Sequence, residues 1–287
     1  MKKIWIKRFF KIIGLVFLIL FIGLVILFYR IFSPKSDGEV LDILQTETNH
    51  AFVKYTRYKN KPVRMIHMQK EIDTMLPTLL LIHGSPGSAL DFKKYLLDRE
   101  LNEKYNLITY DRIGYGNENR GEVVGSLKKE VEVLDAVLRD IKTTNVILAG
   151  YSYGGTTALV SPKKYKKKLL LAPAVRGDLE PMFWAIKLYE WKFTRPVVPK
   201  VFQAATEEKL RHTTELINYE NQWDINDTKI ISIHGKLDRI VPYENSIFLE
   251  NKLDPAIFKL ITLERGRHDL IWTNFKVIKN IFLKVAD

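Results

Sequence analysis

Gly150-Tyr151-Ser152-Tyr153-Gly154-Gly155 decides the fold through what flanks it. Val146-Ile147-Leu148-Ala149 enters it as an apolar strand, and Thr156-Thr157-Ala158-Leu159-Val160 leaves it as a helix start. G-x-S-x-G at a strand-to-helix turn is a nucleophile elbow. The turn is so tight that the positions flanking the serine need minimal side chains, and the glycines supply them. It raises the Ser152 hydroxyl above the sheet edge, at the N-terminus of a helix whose dipole favours developing negative charge.

Outward from the elbow, short apolar runs alternate with helical patterns. Strands are expected at 78–83, 106–110, 146–149, 169–172, 229–233 and 258–263. Near-continuous apolar runs indicate strands covered on both faces, hence a mostly parallel sheet flanked by helices. Between two of them, Leu127, Val131, Leu134, Leu138 and Ile141 recur at +4, +3, +4, +3. That is one face of a helix, with Lys128, Lys129, Glu130 and Asp140 directed to water. Residues 51–70 alternate weakly around Lys59-Asn60-Lys61, which predicts an opening β-hairpin, and a closing helix is expected at 274–285. Residues 176–226 are too long for a plain connection and carry Phe183, Trp184, Tyr189, Trp191, Phe193 and Phe202 amid helical patterns. They predict an inserted helical cap.

A serine hydroxyl is a poor nucleophile until a base takes its proton. On a sheet of this kind the order along the chain is Ser, then Asp or Glu, then His. Two downstream stretches fit. Ile231-Ser232-Ile233-His234-Gly235-Lys236-Leu237-Asp238 is a strand running into a turn and an acid; Glu264-Arg265-Gly266-Arg267-His268 follows the strand at 258–263. Each places its polar residue just past a strand's carboxyl end, where ligands bind in open α/β sheets. The expected set is Ser152 as nucleophile, His268 as base and Asp238 as its orienting acid. Asp178 is the rival for the acid, whereas Asp269 is too close to His268 along the chain to face it. His234, His50, His67 and His212 have structural readings.

The oxyanion of an acyl transfer also needs donors. One is the backbone N–H of Tyr153, the residue after the nucleophile; the other is expected from His83-Gly84-Ser85-Pro86-Gly87, with Ser85 N–H as the donor. The alternative for this loop is a plain Gly-Pro turn.

The ordered set HGSPG, DRIGYG, GYSYGG, HGKLDRIVP and GRHD resembles the α/β-hydrolase superfamily, in its capped branch with an H-G-x-P oxyanion loop, over roughly residues 50–287. The resemblance implies the α/β-hydrolase fold, the triad Ser152, Asp238 and His268, the donors Ser85 and Tyr153, and no metal or organic cofactor. It also implies that Asp111-Arg112 shapes the neighbouring loop. Haloalkane dehalogenases and epoxide hydrolases are similar but carry Asp at the nucleophile position. Proline-releasing aminopeptidases are similar too, but favour a second Gly where this chain has Ser85, and Trp where it has Tyr153. A small-molecule acyl substrate is therefore expected, a carboxylic ester or thioester that the N-terminal anchor and aromatic cap suggest is lipid-derived. The alternatives are an aminopeptidase or amidase of the same fold and a non-catalytic membrane-anchored binding protein. Two departures stand out: the helix behind Ser152 is short, interrupted by Pro162, and Lys163, Lys164, Lys166, Lys167 and Lys168 fill the connection after it. That tract is expected to be a solvated helix end, with contact to anionic lipid headgroups as the alternative.

From residue 12 to residue 29 the chain carries 18 residues without a charge, IIGLVFLILFIGLVILFY. They span about 27 Å as a helix, close to the ~30 Å of bilayer hydrocarbon. Five basic residues precede the run, and Arg30 and Lys35 follow it before Asp37, Glu39 and Asp42. A single-pass anchor is expected, N-terminus cytoplasmic and the rest of the chain on the other side. A cleaved signal peptide would have a shorter apolar region and a small-residue cleavage site, which LFYRIFSPKSDGE does not offer. The expected organisation is a basic segment and anchor over 1–30, a polar tether over 31–50 and the hydrolase domain over 51–287.

The net charge is +12, but seven Lys or Arg and no acid fall within residues 1–35, leaving +5 for the remainder. With no zinc-finger spacing, aromatic RNA-binding motif or basic helix, nucleic acid is not an expected partner. The chain has no cysteine, which excludes disulfides, thiolate metal sites and a cysteine nucleophile.

Overall fold

The structure, a computed structural model, describes residues 2–47, 49–219 and 227–286. Eight strands form one sheet in the order β1-β2-β4-β3-β5-β6-β7-β8. β1 (Phe52–Tyr58) and β2 (Lys61–His67) make the expected hairpin, and β2 also runs antiparallel to β4 (Asn106–Tyr110). β3 (Thr78–Ile82), β5 (Val146–Tyr151), β6 (Lys167–Leu171), β7 (Ile230–Gly235) and β8 (Phe258–Leu263) join β4 in a parallel array.

The apolar runs have the anticipated cause. Leu79 and Leu81 point to one face and Leu80 and Ile82 to the other, and all four are fully buried. The first face is covered by α3 (Lys93–Leu96), α4 (Arg99–Lys104), α10 (Leu270–Thr273) and α11 (Phe275–Lys284). The second is covered by α5 (Leu127–Val137), α6 (Tyr153–Val160) and α9 (Glu244–Lys252).

Several expectations need correction. The stretch expected as a polar tether contains α2 (Asp37–Leu44), opened by a reciprocal Ser36–Glu39 capping box. Val40 and Leu44, four residues apart and fully buried, fasten α2 to the sheet's first face. Glu130 does not face water: it is buried in an ion pair with Arg112, which it shares with Glu208. The lysine tract is not a solvated helix end. Lys167 and Lys168 open β6, and buried Lys168 donates from Nζ to the carbonyls of Leu159 and Ser161 at 3.0 and 2.7 Å. Those are the unsatisfied last carbonyls of α6, to which a cation is the natural partner. Lys163 and Lys164 pair with Asp135 and Asp227, while Lys166 and Lys167 donate to the carbonyls of Ala286 and Val285.

Between β6 and β7 the chain leaves the sheet for a helical insertion containing α7 (Ile186–Glu190) and α8 (Lys200–Tyr219). Residues 220–226 of the expected cap lie outside the described residues. At the other end of the chain, α1 (Lys2–Ile31) contains a 25-residue stretch, Lys7–Ile31, whose most apolar 18-residue window has a mean hydropathy of 3.1, long and apolar enough to cross a membrane. Its last turn meets the insertion: Phe28 stacks on Phe202 at 5.5 Å between ring centroids, and the Tyr29 hydroxyl donates to Pro196 O at 3.0 Å.

Candidate active site

Ser152 follows β5 with φ +53° and ψ −120°, a backbone state that a residue with a Cβ adopts only under constraint. The constraint is local. A Cβ on Gly150 would lie 2.1 Å from Gly154 O, and one on Gly154 would lie 2.4 Å from Ile82 O. Glycine at both positions lets β5 turn into α6 against the end of β3. Ser152 N–H donates to Leu171 O at 2.8 Å, tying the elbow to β6.

The turn after β7 and the loop after β8 meet beside it. Lys236 N–H and Leu237 N–H donate across to Leu263 O and Gly266 O, so the two loops are stitched together. His268 then lies between Asp238 and Ser152: Nδ1 is 2.7 Å from Asp238 Oδ2, and Nε2 is 3.2 Å from Ser152 Oγ. An ionised carboxylate only accepts, so Nδ1 carries the ring proton and Nε2 accepts from the serine hydroxyl. Burial would raise the Asp238 carboxyl. Hydrogen bonds from His234 and His268 and from Val241 N–H outweigh it and hold the group well below the usual carboxylate range. The three residues singled out in the sequence are thus brought together, as a line along which a proton can pass from serine to imidazole.

The other candidates lie elsewhere. Asp178 is half-exposed and paired with Arg176. Asp269 precedes the first residue of α10 and accepts from the Thr273 hydroxyl through its backbone carbonyl. His234 is fully buried, with Nδ1 2.7 Å from Ser246 Oγ and Nε2 3.0 Å from Val241 O, and braces the Asp238 turn. Among the described residues no three His, Asp or Glu side chains gather as a metal site.

Ser85 and Tyr153 border the same cavity as Ser152. Tyr153 is the first residue of α6, where a backbone N–H has no acceptor within its own helix. The loop carrying Ser85 passes so close that a Cβ on Gly84 would stand 3.1 Å from Ser152 Cβ. A buried network holds that loop. Arg112 donates to Gly84 O at 3.1 Å, to Glu130 at 2.9 Å and to Glu208 at 2.6 Å. His83 Nε2 accepts from Arg112 N–H at 3.0 Å, and burial together with the Arg112 charge pushes His83 down to about 3. The Ser85 hydroxyl is 2.7 Å from the Tyr115 hydroxyl, which donates to Glu208 at 2.6 Å.

The cavity beside Ser152 measures about 640 Å³ and is largely apolar. Its polar side chains include Glu180 and Lys209, which form an ion pair. Burial raises the Glu180 carboxyl despite the lysine. Sequence reasoning missed this pair, the Arg112 network and the contribution of Phe21, Val25 and Phe28 of α1 to the cavity wall. Glu130 alone left a signal, being three residues from Leu127 and four from Leu134 on the apolar face.

The pattern of the Alpha/beta hydrolase family matches residues 79–272. Among solved structures, the chain is 18% identical to a 2-hydroxy-6-oxo-6-phenylhexa-2,4-dienoate hydrolase from Rhodococcus sp. strain RHA1. That likeness covers 83% of this chain and 99% of the other at a TM-score of 0.58. A thioesterase domain from the curacin biosynthetic pathway is 15% identical, with 82% and 100% covered and a TM-score of 0.58. These likenesses are of fold. A proline iminopeptidase of Lactobacillus delbrueckii subsp. lactis is 28% identical over 136 residues, and the match spans 45% of this chain and 45% of that relative.

Proposed function

We propose that this chain, which belongs to the alpha/beta hydrolase family, is a membrane-anchored serine hydrolase that cleaves a carboxylic ester or thioester through an acyl-enzyme on Ser152. One observation carries the reading: the unbroken line Asp238–His268–Ser152, at 2.7 and 3.2 Å, beside an apolar cavity. His268 takes the hydroxyl proton as Ser152 Oγ attacks the acyl carbonyl. Asp238 keeps the imidazole in its working tautomer and stabilises the imidazolium. The N–H groups of Tyr153 and Ser85 receive the oxyanion, each such donor being worth about 3 kcal/mol in other hydrolases. His268 then protonates the leaving alcohol or thiol, and water, activated by the same imidazole, releases the acid.

The helical insertion acts as the cap over this site. α1 is the anchor, and the charge bias around it supports a cytoplasmic N-terminus with the catalytic domain on the opposite side. The iminopeptidase likeness favours a second reading, an aminopeptidase. Such an enzyme has to meet a substrate ammonium with a carboxylate, and Glu180 in the cavity is already neutralised by Lys209. Ester or thioester cleavage is therefore preferred.

The test uses the full chain in detergent micelles. A fluorophosphonate should form one adduct, at Ser152. Hydrolysis of p-nitrophenyl esters or acyl-thioesters should fall at least about a thousandfold in Ser152→Ala and His268→Ala. Equal turnover by wild type and both variants defeats the proposal, and faster cleavage of aminoacyl amides than of esters hands the assignment to the aminopeptidase reading.

A further inference from the structure

Phe21, Val25 and Phe28 of α1 line the cavity that holds Ser152, together with Phe202 of the insertion. Spaced by four and three residues, they share one face of α1. The same side chains are not sealed inside: Phe21 is 59% and Phe28 41% exposed. One wall of the cavity is thus also the outer surface of a helix built to lie in lipid.

The position of α1 against the insertion is set by packing. Phe202 is gripped between Phe28 and Phe32, at 5.5 and 4.8 Å between ring centroids, and Tyr29 is tied to Pro196 O. Tyr29 closes the apolar run and suits the level of the membrane interface. Phe21, eight residues earlier, then lies about 12 Å deeper, well inside one leaflet. The lining of the cavity therefore runs from the interface, where a lipid's ester group resides, toward the level of its acyl tail.

The insertion carries the matching surface. Met182, Trp184, Trp191 and Phe193 are 57%, 76%, 60% and 80% exposed, with Lys187 and Lys192 exposed among them. Large apolar side chains crowded into one exposed segment mark a surface meant to be covered. Tryptophans interleaved with lysines suit the headgroup layer, where ring and ammonium meet both apolar and polar surroundings. The neighbouring α1 identifies the cover as lipid.

We propose that the substrate is an acyl ester resident in the membrane leaflet, whose acyl chain reaches Ser152 laterally along the Phe21–Val25–Phe28 face of α1 while Trp184, Trp191 and Phe193 sit at the interface. This rests on Ser152 being the nucleophile. The chain moves from one apolar surface to another, so its methylenes never cross water. Ser152 Oγ bonds to the ester carbonyl carbon, the bond to the lipid alcohol oxygen breaks, and that oxygen leaves with the proton from His268. Water then frees the fatty acid.

The experiment places the full chain in nanodiscs of phosphatidylcholine and phosphatidylglycerol. The probe is a hexadecyl fluorophosphonate with a diazirine near the end of its chain. Ser152 should be phosphonylated, and irradiation should cross-link the probe to residues 21–28. Val25→Trp, which narrows the face, should lower the ratio of kcat/KM for p-nitrophenyl palmitate over p-nitrophenyl butyrate at least tenfold. Phe21→Ala, which removes part of the wall without adding bulk, should lower it several-fold. Phosphonylated Ser152 with no cross-link to 21–28, or an unchanged ratio in both variants, overturns the lateral route and leaves the nucleophile standing. If neither the long probe nor a short ethyl fluorophosphonate modifies Ser152, the nucleophile assignment falls and the route with it.

Discussion

Replacing Asp238 with asparagine turns one carboxylate oxygen into an amide nitrogen, and the surroundings dictate which one. Oδ1 accepts the backbone N–H groups of Ile240 and Val241, both at 2.9 Å, so only the amide oxygen fits there. The NH2 group must take the other position, 2.7 Å from His268 Nδ1. A donor at that point forces Nδ1 to accept and moves the ring proton to Nε2. Ser152 then faces an N–H where it needs a lone pair.

The charge is lost as well. Unit charges 2.7 Å apart at an effective dielectric of about 20 attract by about 6 kcal/mol. Full loss of that stabilisation of the imidazolium would amount to roughly four powers of ten in rate. The His268 side chain is 15% exposed, so water recovers part of it. The expected fall in kcat is about 10³ to 10⁴, near the ~10⁴ that this swap causes in serine proteases. Asp238→Ala should be the faster of the two variants, since its imidazole can still take the working tautomer with water at Nδ1. The assay is steady-state hydrolysis of p-nitrophenyl butyrate by each variant, with thermal unfolding as the fold control. A folded Asn variant keeping more than a tenth of the wild-type kcat, or outrunning the Ala variant, refutes the reasoning.

Gly154→Ala drives a Cβ to 2.4 Å from Ile82 O and 2.6 Å from His83 O, both backbone atoms. It should cost about 2–3 kcal/mol in thermal unfolding and slow fluorophosphonate labelling more than tenfold, because the elbow must shift. His67 is buried, neither ring nitrogen has a hydrogen-bond partner among the described residues, and burial pushes its pKa down to about 4. The folded state therefore binds fewer protons than the unfolded one below pH ~6.5, so the stability present above that pH is lost as the pH falls toward 4. Relative to His67→Phe, wild type should weaken by about 2–3 kcal/mol between pH 7.5 and 4.5, read as a widening Tm difference; a constant difference contradicts it. Since the chain has no native cysteine, Lys236→Cys gives one exposed thiol beside the site. In intact cells it should react with a membrane-impermeant maleimide, and protection until lysis would reverse the proposed orientation.

What was legible in the sequence was whatever depends on neighbours along the chain. The strands showed because burial on both faces leaves no alternation of polar residues, and β4 and β8 begin and end at the residues expected. Ser152, Asp238 and His268 could be picked out because each lies a short turn past a strand's carboxyl end, and the parallel array lines those ends up. For Asp111-Arg112 it was the family resemblance, not a pattern along the chain, that implied a loop-shaping role, and Arg112 holds Gly84 O. The misjudged residues depend on partners far along the chain. Glu130 is a surface residue by helical periodicity until Arg112 is placed against it, and Lys168 is a surface residue until the end of α6 needs its ammonium. α2 was missed because four apolar residues, Val40, Leu41, Ile43 and Leu44, in a short helix amid polar neighbours are too weak a pattern, although the four-residue spacing of Val40 and Leu44 was there to be read. The Phe21–Val25–Phe28 face could not be seen at all, because in a helix apolar all round no face stands out.

The buried charges also bear on how the insertion relates to the chemistry. Arg112 holds Gly84 in the loop beside Ser152, Glu130 on α5 and Glu208 on α8 of the insertion, with all three charged side chains almost fully buried. Removing one partner of such a group typically costs about 3–5 kcal/mol, because a charge is left uncompensated in the interior. α8 therefore cannot swing away as a free lid without breaking the buried Arg112–Glu208 ion pair, although Glu130 would still face the guanidinium. Tyr115 repeats the connection, reaching Ser85 and Glu208 with the same hydroxyl. The segment before α8, where α7 and the exposed tryptophans lie, is tied to α8 through Glu180–Lys209 and Tyr189–Glu207 but, among the described residues, by no buried ion pair to Arg112. On the proposed lateral route the substrate passes that segment and α1, while α8 stays fixed by Arg112 and Tyr115.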